Sequence, residues 1–352
     1  MILVTGGTGL VGSHLLYFLS LTEENIRAIH RKSSDIKAVE KVFSYYTNEY
    51  ENLFKKIEWI EADVIDVPSL EKAFVNITKV YHCAAIVSFD KKDYHKMRNT
   101  NIEGTANMVN LSLDNNVTKF CHVSSIATME KKAHLTSSNP EVLGEKTKKQ
   151  KEFIDEKNEW NTETNNYGYA ITKYGAEMEV WRATQEGLDA VIVNPGVILG
   201  SGFWQNGTGE LFTKFYNGFK FYTEGSTGFV AVKDVAKAMI ILMESNIKNE
   251  RFLLVSENWT FKDVFFKMAD NFNKKRPSIK VTKTLSNIAW RLEWLKSFIT
   301  GKAPLITKHS ASASLSTYQY SSDKIKQAID FKFETLNNTI KDVCNDFLKD
   351  KQ

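Results

Sequence analysis

The chain has 352 residues, of which 42% are hydrophobic, and this is enough for a full α/β core and a smaller second lobe. Its formal net charge of +4 is modest, and its lysines are interleaved with acidic residues, so the sequence excludes a nucleic-acid-binding stripe. Three cysteines without C-x-x-C spacing exclude a disulfide scaffold and indicate a reducing compartment.

The first apolar strand begins at residue 2, which leaves no room for a signal peptide, and no apolar run reaches the length of a membrane span. We therefore expect a cytoplasmic protein without a membrane-spanning segment.

The first twelve residues, MILVTGGTGLVG, predict a nucleotide-binding unit. Ile2 to Val4 form an apolar run that is typical of a central parallel strand. Gly7, Gly9 and Gly12 then satisfy the dinucleotide fingerprint G-x-G-x-x-G, and a helix that begins at its end would direct its N–H groups at a pyrophosphate. Cofactor contacts are expected at Gly6, Thr8, Gly9, Leu10 and Val11.

The second predicted strand, Asn25 to Ile29, is followed by His30, Arg31 and Lys32. An NAD-binding unit would place a carboxylate near this point to accept hydrogen bonds from the adenosine ribose. A guanidinium instead matches a phosphate with two parallel hydrogen bonds, so Arg31, helped by Lys32, predicts that NADP(H) is favoured over NAD(H). The alternative is an ordinary exposed basic turn.

The third and fourth predicted strands are Ile57 to Ala62 and Val80 to Cys83. Ligands of open parallel sheets bind beyond the carboxyl ends of the strands, where Asp63 could meet the adenine amino group and two alanines leave room for the cofactor. Cofactor contacts are therefore expected at Asp63, Val64, Ala84 and Ala85. His82 and Cys83 have no metal-ligand partner at useful spacing, so we interpret them as core residues and predict no metal site.

A predicted helix from Asn101 to Leu113 and a fifth strand from Lys119 to Val123 lead to Ser124-Ser125. The segment between Thr128 and Asn166 is polar and has little periodicity. Long segments of this kind inside a compact domain are usually functional or disordered. Its position favours a loop that borders the substrate site.

The stretch NYGYAITKYGAEMEVW places Tyr169 and Lys173 four residues apart, on one face of a predicted helix. A phenol with a pKa of about 10 is a poor proton donor or acceptor at neutral pH, and a nearby cation moves that pKa towards the working range. Lys173 would supply the cation and could hold a nicotinamide ribose, while Ser125 could donate a hydrogen bond to a substrate oxygen. The alternative is a surface pair without catalytic role.

The chain resembles the extended short-chain dehydrogenase/reductase family over most of its length, through TGGTGLVG, Asp63-Val64, Ala84-Ala85, NIEGT, VSS, YGYAITK, NPGVILG and FVAVKDVAKAM. The resemblance implies that Tyr169 is the general acid/base, Lys173 its activator and ribose ligand, and Ser125 the substrate-orienting hydroxyl. It also implies that Asn101 supports a proton-relay water and that Pro195 and Val197 contact the cofactor. Ser124 is the alternative to Ser125, which we choose because the family's catalytic serine is commonly the last of the run.

Within this family, nucleotide-sugar epimerases and dehydratases use arginines after the sixth strand to grip a pyrophosphate. Here that strand reads VIVNPG, and Arg251, Arg276 and Arg291 are the only arginines that follow it. The next stretch is aromatic, and apolar pockets select apolar ligands, so the chain resembles the dihydroflavonol-reductase-like and 3β-hydroxysteroid-dehydrogenase-like branch. The aromatic residues are Phe203, Trp204, Phe212, Phe215, Tyr216, Phe219, Phe221 and Tyr222. The alternative is that they build the core of the second lobe.

We predict an α/β fold with a doubly wound parallel sheet (Rossmann) and a smaller C-terminal substrate lobe. Residues 1–195 form the NAD(P)-binding domain, 228–256 return to it, and 196–227 and 257–352 form the lobe. Within the lobe, Ile288 to Ile299 is apolar with a thin basic face, and we interpret it as a lid or core helix; the alternative is a helix on a membrane surface.

The expected function is NADP(H)-dependent hydride transfer between a ketone or aldehyde and the corresponding alcohol of a small, fairly apolar substrate. One alternative is a nucleotide-sugar epimerase or dehydratase with tightly held NAD(P). The other is a cofactor-binding regulator without catalysis. The resemblance leaves a homodimer open.

Overall fold

The computed structural model describes residues 1–129, 153–161, 167–300 and 307–352. The polar segment predicted to border the substrate site lies largely outside these residues. The strands are β1 Ile2–Thr5, β2 Ile26–His30, β3 Ile57–Glu61, β4 Lys79–His82, β5 Lys119–Val123, β6 Ala190–Pro195, β7 Val197–Leu199, β8 Phe221–Tyr222, β9 Ser226–Ala231, β10 Glu250–Leu254, β11 Glu257–Thr260 and β12 Ile279–Lys280.

The helices alternate with the strands in the first half of the chain and dominate its end. They are α1 Leu10–Ser20, α2 Ile36–Ser44, α3 Tyr50–Phe54, α4 Val67–Ala73, α5 Tyr94–Arg98, α6 Gly104–Asp114, α7 Gly168–Gln185, α8 Gly209–Tyr216, α9 Val232–Glu244, α10 Phe261–Asn271, α11 Lys283–Thr300, α12 Lys308–Ala313, α13 Asp323–Ile329 and α14 Leu336–Lys349. None of the helices in these described ranges is both long and apolar enough to cross a bilayer.

Seven strands form one parallel sheet in the order β3-β2-β1-β4-β5-β6-β10. The order reverses direction at β1, as in a doubly wound fold, so the predicted fold class is confirmed. Every residue of β1, β5 and β6 is buried, which explains why these strands lack polar alternation.

Neighbouring residues of β1 pack on opposite faces of the sheet. Val4 joins a cluster that contains Leu16 of α1 and side chains of α9, whereas Leu3 joins one that contains Val109 of α6 and side chains of α7. Burying such a side chain completely contributes about 1.5–3 kcal/mol. The two clusters therefore fix helices on both faces and leave the carboxyl edge of the sheet free for loops.

A second, three-stranded sheet lies beside the first, in the order β11-β9-β7, and packs with α8, α10 and α14. Residues 228–256 were predicted to return to the NAD(P)-binding domain. Within this segment, β9 pairs with β7 and β11 of the small sheet, whereas β10 pairs with β6 of the large sheet and α9 connects the two strands. The exact division of the chain into two domains stays a prediction.

The aromatic residues between 203 and 222 mainly build the core of this lobe. Phe212 and Phe215 are buried in it, and Trp204 and Tyr216 pack against it. For these four residues the alternative of a place in the core of the lobe is confirmed, because their rings pack on α10 and α14. In α11, which includes the predicted lid or core helix, Ile288 is exposed, and most of the later side chains lie outside the described residues.

Candidate active site

The glycine loop after β1 is held tightly against its neighbours. Gly6 has φ +67°, and a Cβ there would lie 2.6 Å from the backbone nitrogen of Ala84. A Cβ on Gly12 would lie 2.2 Å from the carbonyl oxygen of Gly6. These two glycines therefore allow the loop to approach β4 and α1.

Gly9 differs from both, because a Cβ there would meet only the Gly6 carbonyl oxygen, at 3.4 Å. Gly9 is exposed and caps the N-terminus of α1. The loop thus keeps an open cradle on this side, beside the positive end of a helix, which fits the pyrophosphate of a dinucleotide.

A cavity of about 200 Å³ lies next to this cradle, at the carboxyl edge of the large sheet. It brings together eight predicted cofactor residues from four strand ends: Gly6, Thr8, Gly9, Arg31, Asp63, Val64, Ala84 and Ala85. Seven other predicted cofactor residues do not line it: Leu10, Val11, Lys32, Tyr169, Lys173, Pro195 and Val197. Leu10 and Val11 open α1, and Val197 packs against the core of the second lobe.

The cavity also contains residues that the sequence analysis missed, among them Ser34, Cys83 and Thr100. Cys83 follows the last residue of β4 and packs against the hydrophobic core, as predicted, but it also lines the cavity, and its place at a strand end was the available signal. Burial raises the pKa of its thiol to about 12, which keeps it uncharged.

His82, by contrast, is fully buried and belongs to the core, as predicted. Its Nδ1 lies 2.7 Å from the hydroxyl of Thr5, and its Nε2 lies 3.0 Å from the hydroxyl of Thr105. Burial lowers the pKa of the imidazole to about 3, so it is neutral. The ring therefore links β1, β4 and α6 beneath the cavity.

Arg31 lies at the rim of the cavity, with its side chain exposed. Ser34 closes the turn, because its backbone N–H donates to the Arg31 carbonyl at 2.8 Å and its hydroxyl accepts from the Arg31 N–H at 3.1 Å. Across the described part of the chain, the Arg31 guanidinium forms no ion pair. It is therefore free to bind an anion at this edge.

Ser125, Tyr169 and Lys173 come together where β5 and α7 meet. The hydroxyl of Ser125 lies close enough to the phenol of Tyr169 to lower the pKa of that phenol as a hydrogen-bond partner. Ser124 points elsewhere and donates to the carboxylate of Glu177. The structure thus places Ser125, and not Ser124, against the phenol.

The electrostatics of this group differ from our expectation. Burial raises the pKa of Tyr169 to about 12, although the hydrogen bond from Ser125 opposes the rise. Lys173 is 2% exposed and donates from Nζ to the Val123 carbonyl at 2.6 Å. Burial lowers its pKa to about 8, against the raising effect of Glu177. The predicted fall of the phenol pKa is not found, because desolvation dominates and Lys173 is not among the groups that shift the pKa of the phenol.

Asn101 is buried in a π-helical turn, residues 99–103, between α5 and α6. Its Oδ1 accepts from the N–H of Ile86 at 2.7 Å, and its Nδ2 donates to the Ile86 carbonyl and to the Thr172 hydroxyl, both at 3.0 Å. These bonds tie the loop after β4 to α7. They give Asn101 a structural task, and its predicted role beside a relay water stays a prediction.

Three aromatic rings stack at the outer side of the Ser125–Tyr169 pair. The ring centroids of Phe89 and Tyr167 are 5.5 Å apart, and those of Tyr167 and Tyr169 are 6.1 Å apart, with interplanar angles of 26° and 30°. Phe89 is 43% exposed and neighbouring Val87 is 62% exposed. An apolar surface, which we call the aromatic wall (Val87, Phe89 and Tyr167), therefore adjoins the phenol.

The three arginines that follow β6 are engaged in structural contacts. Arg251 donates to the carbonyls of residues 156 and 158, and its Nη1 lies 3.7 Å from the carboxylate of Glu177. Arg276 pairs with Asp270 at 2.8 Å, and Arg291 donates to a carbonyl of its own helix. None of the three lines the cavity at the sheet edge.

Comparison with known proteins assigns the chain to a family. The model of the NAD-binding family described as male sterility protein matches residues 4–253. The chain belongs to this family, within the extended short-chain dehydrogenase/reductase superfamily, and is an enzyme of that type.

Several curated relatives match most of the chain. Sterol demethylase protein B of Methylococcus capsulatus is 25% identical over 88% of this chain and 86% of its own length. A putative dihydroflavonol 4-reductase of Synechocystis is 24% identical over 98% and 93%, and cinnamoyl-CoA reductase 1 of Petunia hybrida is 26% identical over 72% of each chain.

Solved structures share the fold. The protein gox2253 superposes with a TM-score of 0.78 at 24% identity, over 99% of this chain and 98% of its own. UDP-glucose 4-epimerase of Thermotoga maritima superposes with a TM-score of 0.74 at 19% identity, over 100% and 99%. At these identities the likeness shows the architecture, and the reaction has to be argued from the site.

Proposed function

We propose that the protein is an NADP(H)-dependent oxidoreductase that interconverts a ketone or aldehyde and its alcohol on a small, fairly apolar substrate. The observation that carries this proposal is that the Ser125 hydroxyl acts on the Tyr169 phenol as a hydrogen-bond partner, while buried Lys173 lies one turn further along the same helix, at the edge of the sheet that holds the cofactor cavity. A substrate oxygen that contacts both hydroxyls would receive two hydrogen bonds.

The residues divide the work of the reduction. A nicotinamide cofactor held by the glycine loop and Lys173 would supply a hydride for the carbonyl carbon. Ser125 donates a hydrogen bond that orients the carbonyl oxygen, and Tyr169 gives this oxygen the phenolic proton. A pKa of about 12 keeps the phenol protonated at neutral pH, as an acid in this direction requires. Lys173 holds the ribose and stabilises the phenolate that the transfer leaves behind.

The preference for NADP(H) rests on Arg31. A free, exposed guanidinium at the rim of the cavity matches a 2′-phosphate, and this phosphate distinguishes NADP from NAD. Lys32 is exposed and does not line the cavity, so its contribution is that of a more distant charge.

The apolar character of the substrate rests on the aromatic wall, and no longer on residues 203–222. A flat, unsaturated group next to the carbonyl would stack on Phe89 while the oxygen meets Tyr169. The names of two relatives give dihydroflavonol and cinnamoyl-CoA as their substrates. Each of these two compounds contains a flat, unsaturated group. We therefore propose an aromatic or conjugated carbonyl compound.

The alternative of a nucleotide-sugar epimerase gains no support from the arginines, since Arg251, Arg276 and Arg291 are already paired. The two reactions differ in their balance, because carbonyl reduction consumes NADPH and epimerisation returns it. The alternative of a regulator without catalysis does not explain why the Ser125 hydroxyl lies against the Tyr169 phenol, with Lys173 one turn further along the same helix.

The substitution Tyr169→Phe tests the proposal. It removes the transferable proton and keeps the ring, so turnover of cinnamaldehyde, followed by NADPH absorbance, should fall at least 100-fold. NADPH affinity, followed by cofactor fluorescence, should change less than threefold. The matched variant Tyr167→Phe, two residues earlier in the chain and in the aromatic wall, should keep most of the turnover. Unchanged turnover in Tyr169→Phe would contradict the mechanism.

A further inference from the structure

The most deeply buried charged contact near the site lies behind the proposed catalytic residues. Glu177 is on α7, one turn after Lys173, and its side chain is completely buried. Its Oε1 accepts from Ser124 and from Asn194 Nδ2, the latter at 2.6 Å, and lies 2.8 Å from the hydroxyl of Thr128. Removing a carboxylate from water is costly, so its place here calls for a compensating role.

The partners of Glu177 come from separate elements. Ser124 follows β5 directly before Ser125, Thr128 lies in the next turn, and Asn194 is in β6. Glu177 itself belongs to the helix that carries Tyr169. The carboxylate thus joins the strand end that bears the orienting hydroxyl to the helix that bears the proton donor.

The groups that face Lys173 differ in charge. Cys83 after β4 and His82 in β4 are uncharged, because burial raises the thiol pKa and lowers the imidazole pKa. Burial lowers the pKa of His122 in β5 as well, so this ring is also neutral. Glu177 is therefore the anionic group among the described neighbours of Lys173, and it faces the Arg251 guanidinium of β10 on its other side.

We propose that Glu177 is a positioning residue of the reaction: it keeps Lys173 protonated in a dry site and holds the Ser125 strand end against Tyr169. This inference rests on the proposed function, in which the Lys173 ammonium binds the nicotinamide ribose. Without the carboxylate, Lys173 would lose its proton at a lower pH, and both NADPH binding and turnover would weaken at alkaline pH.

The test is Glu177→Gln, which keeps an oxygen acceptor for Ser124 and Asn194 and removes the charge. We expect the alkaline limb of kcat/KM, and of NADPH affinity measured by fluorescence, to move down by about one pH unit. Since Lys173 has a pKa of about 8, this amounts to a loss of about fivefold at pH 8. The matched control is Glu179→Gln, two residues further along the helix, where the carboxylate forms a partly exposed ion pair with Arg182. This variant should leave the alkaline limb of kcat/KM and the alkaline limb of NADPH affinity unchanged.

Two further outcomes distinguish a failure of the proposed role of Glu177 from a failure of the proposed reaction. If the wild type turns over no aldehyde or ketone but Glu177→Gln still moves the alkaline limb of NADPH binding, the role of Glu177 stands and the proposed reaction fails. If Glu177→Gln only lowers thermal stability and leaves both limbs in place, Glu177 is structural and the inference is overturned.

A second variant covers the case in which Glu177→Gln does not fold. Arg251→Gln removes the cation that faces Glu177, so the field of the carboxylate on Lys173 is less neutralised. The alkaline limb of NADPH binding should then stay in place or move up. A downward movement would overturn the inference.

Discussion

Gly12 and Gly9 of the nucleotide loop have different surroundings: Gly12 is packed against backbone atoms, whereas Gly9 borders the space proposed for the cofactor. Alanine substitutions at these two positions can therefore distinguish an effect on stability from an effect on cofactor binding. In Gly12→Ala, the new Cβ would lie 2.2 Å from the Gly6 carbonyl oxygen and 2.8 Å from the Gly7 Cα, both backbone atoms. Real Cβ atoms do not approach closer than 3.0 Å, so the loop must move by at least 0.8 Å, the difference between 3.0 and 2.2 Å. Overpacking of this kind costs about 1–3 kcal/mol.

In Gly9→Ala, the methyl group meets only one atom, at 3.4 Å, which is ordinary contact. The backbone of Gly9, with φ −105° and ψ 176°, is extended and open to alanine. The free energy of unfolding should therefore change by less than about 0.5 kcal/mol. The methyl group would nevertheless occupy the cradle, and NADPH affinity should fall at least tenfold, or about 1.4 kcal/mol.

Urea unfolding and a fluorescence titration with NADPH, carried out on both variants and the wild type, check these values. Gly12→Ala should lose stability and affinity together, whereas Gly9→Ala should lose affinity alone. If Gly9→Ala bound NADPH as tightly as the wild type, the cavity beside Gly9 would not be the cofactor site. If it lost as much stability as Gly12→Ala, the steric reasoning would be wrong.

Two further predictions concern selectivity. Arg31→Ala should raise the KM for NADPH about 10- to 100-fold and leave the KM for NADH unchanged, because a charge-assisted hydrogen bond contributes about 1.5–3 kcal/mol. The control variant Lys32→Ala should have a much smaller effect. An unchanged preference for NADPH in Arg31→Ala would refute our interpretation of this turn. Phe89→Leu should lower kcat/KM for cinnamaldehyde about two- to tenfold relative to hexanal, since ring stacking contributes about 0.5–1.5 kcal/mol. Phe221→Leu, at an equally exposed ring in the second lobe, is the control, and equal losses for both aldehydes in Phe89→Leu would exclude a selective wall.

The raised pKa of Tyr169 affects the direction in which the proposed reaction can start. A phenol with a pKa of about 12 is protonated at neutral pH, so the proton that reduction requires is present, but such a weak acid gives it up only where a cation stabilises the phenolate. Alcohol oxidation needs the phenolate, whose formation depends on the Lys173 ammonium when the ribose is bound. We therefore propose that the protonated phenol is in the state that reduction, and not alcohol oxidation, requires at neutral pH.

Local spacing alone determined the parts of the protein that lie within single elements. The glycine loop was recognised from the spacing of its glycines. The strands and the shared helix face of Tyr169 and Lys173 were recognised from the periods of two and 3.6 residues, which involve only neighbours along the chain. The parallel sheet followed from the same patterns, because apolar runs without alternation are buried on both faces.

Only the tertiary structure decided which side chains from distant segments meet. It placed Ser125 rather than Ser124 on Tyr169, buried Glu177 behind Lys173, and set Phe89 beside the phenol while the aromatic residues of the second lobe closed its core. It also set the pKa of Tyr169, since desolvation depends on everything packed around the ring. Packing between elements far apart in the chain has no local period, and for this reason the linear order of residues could not reveal it.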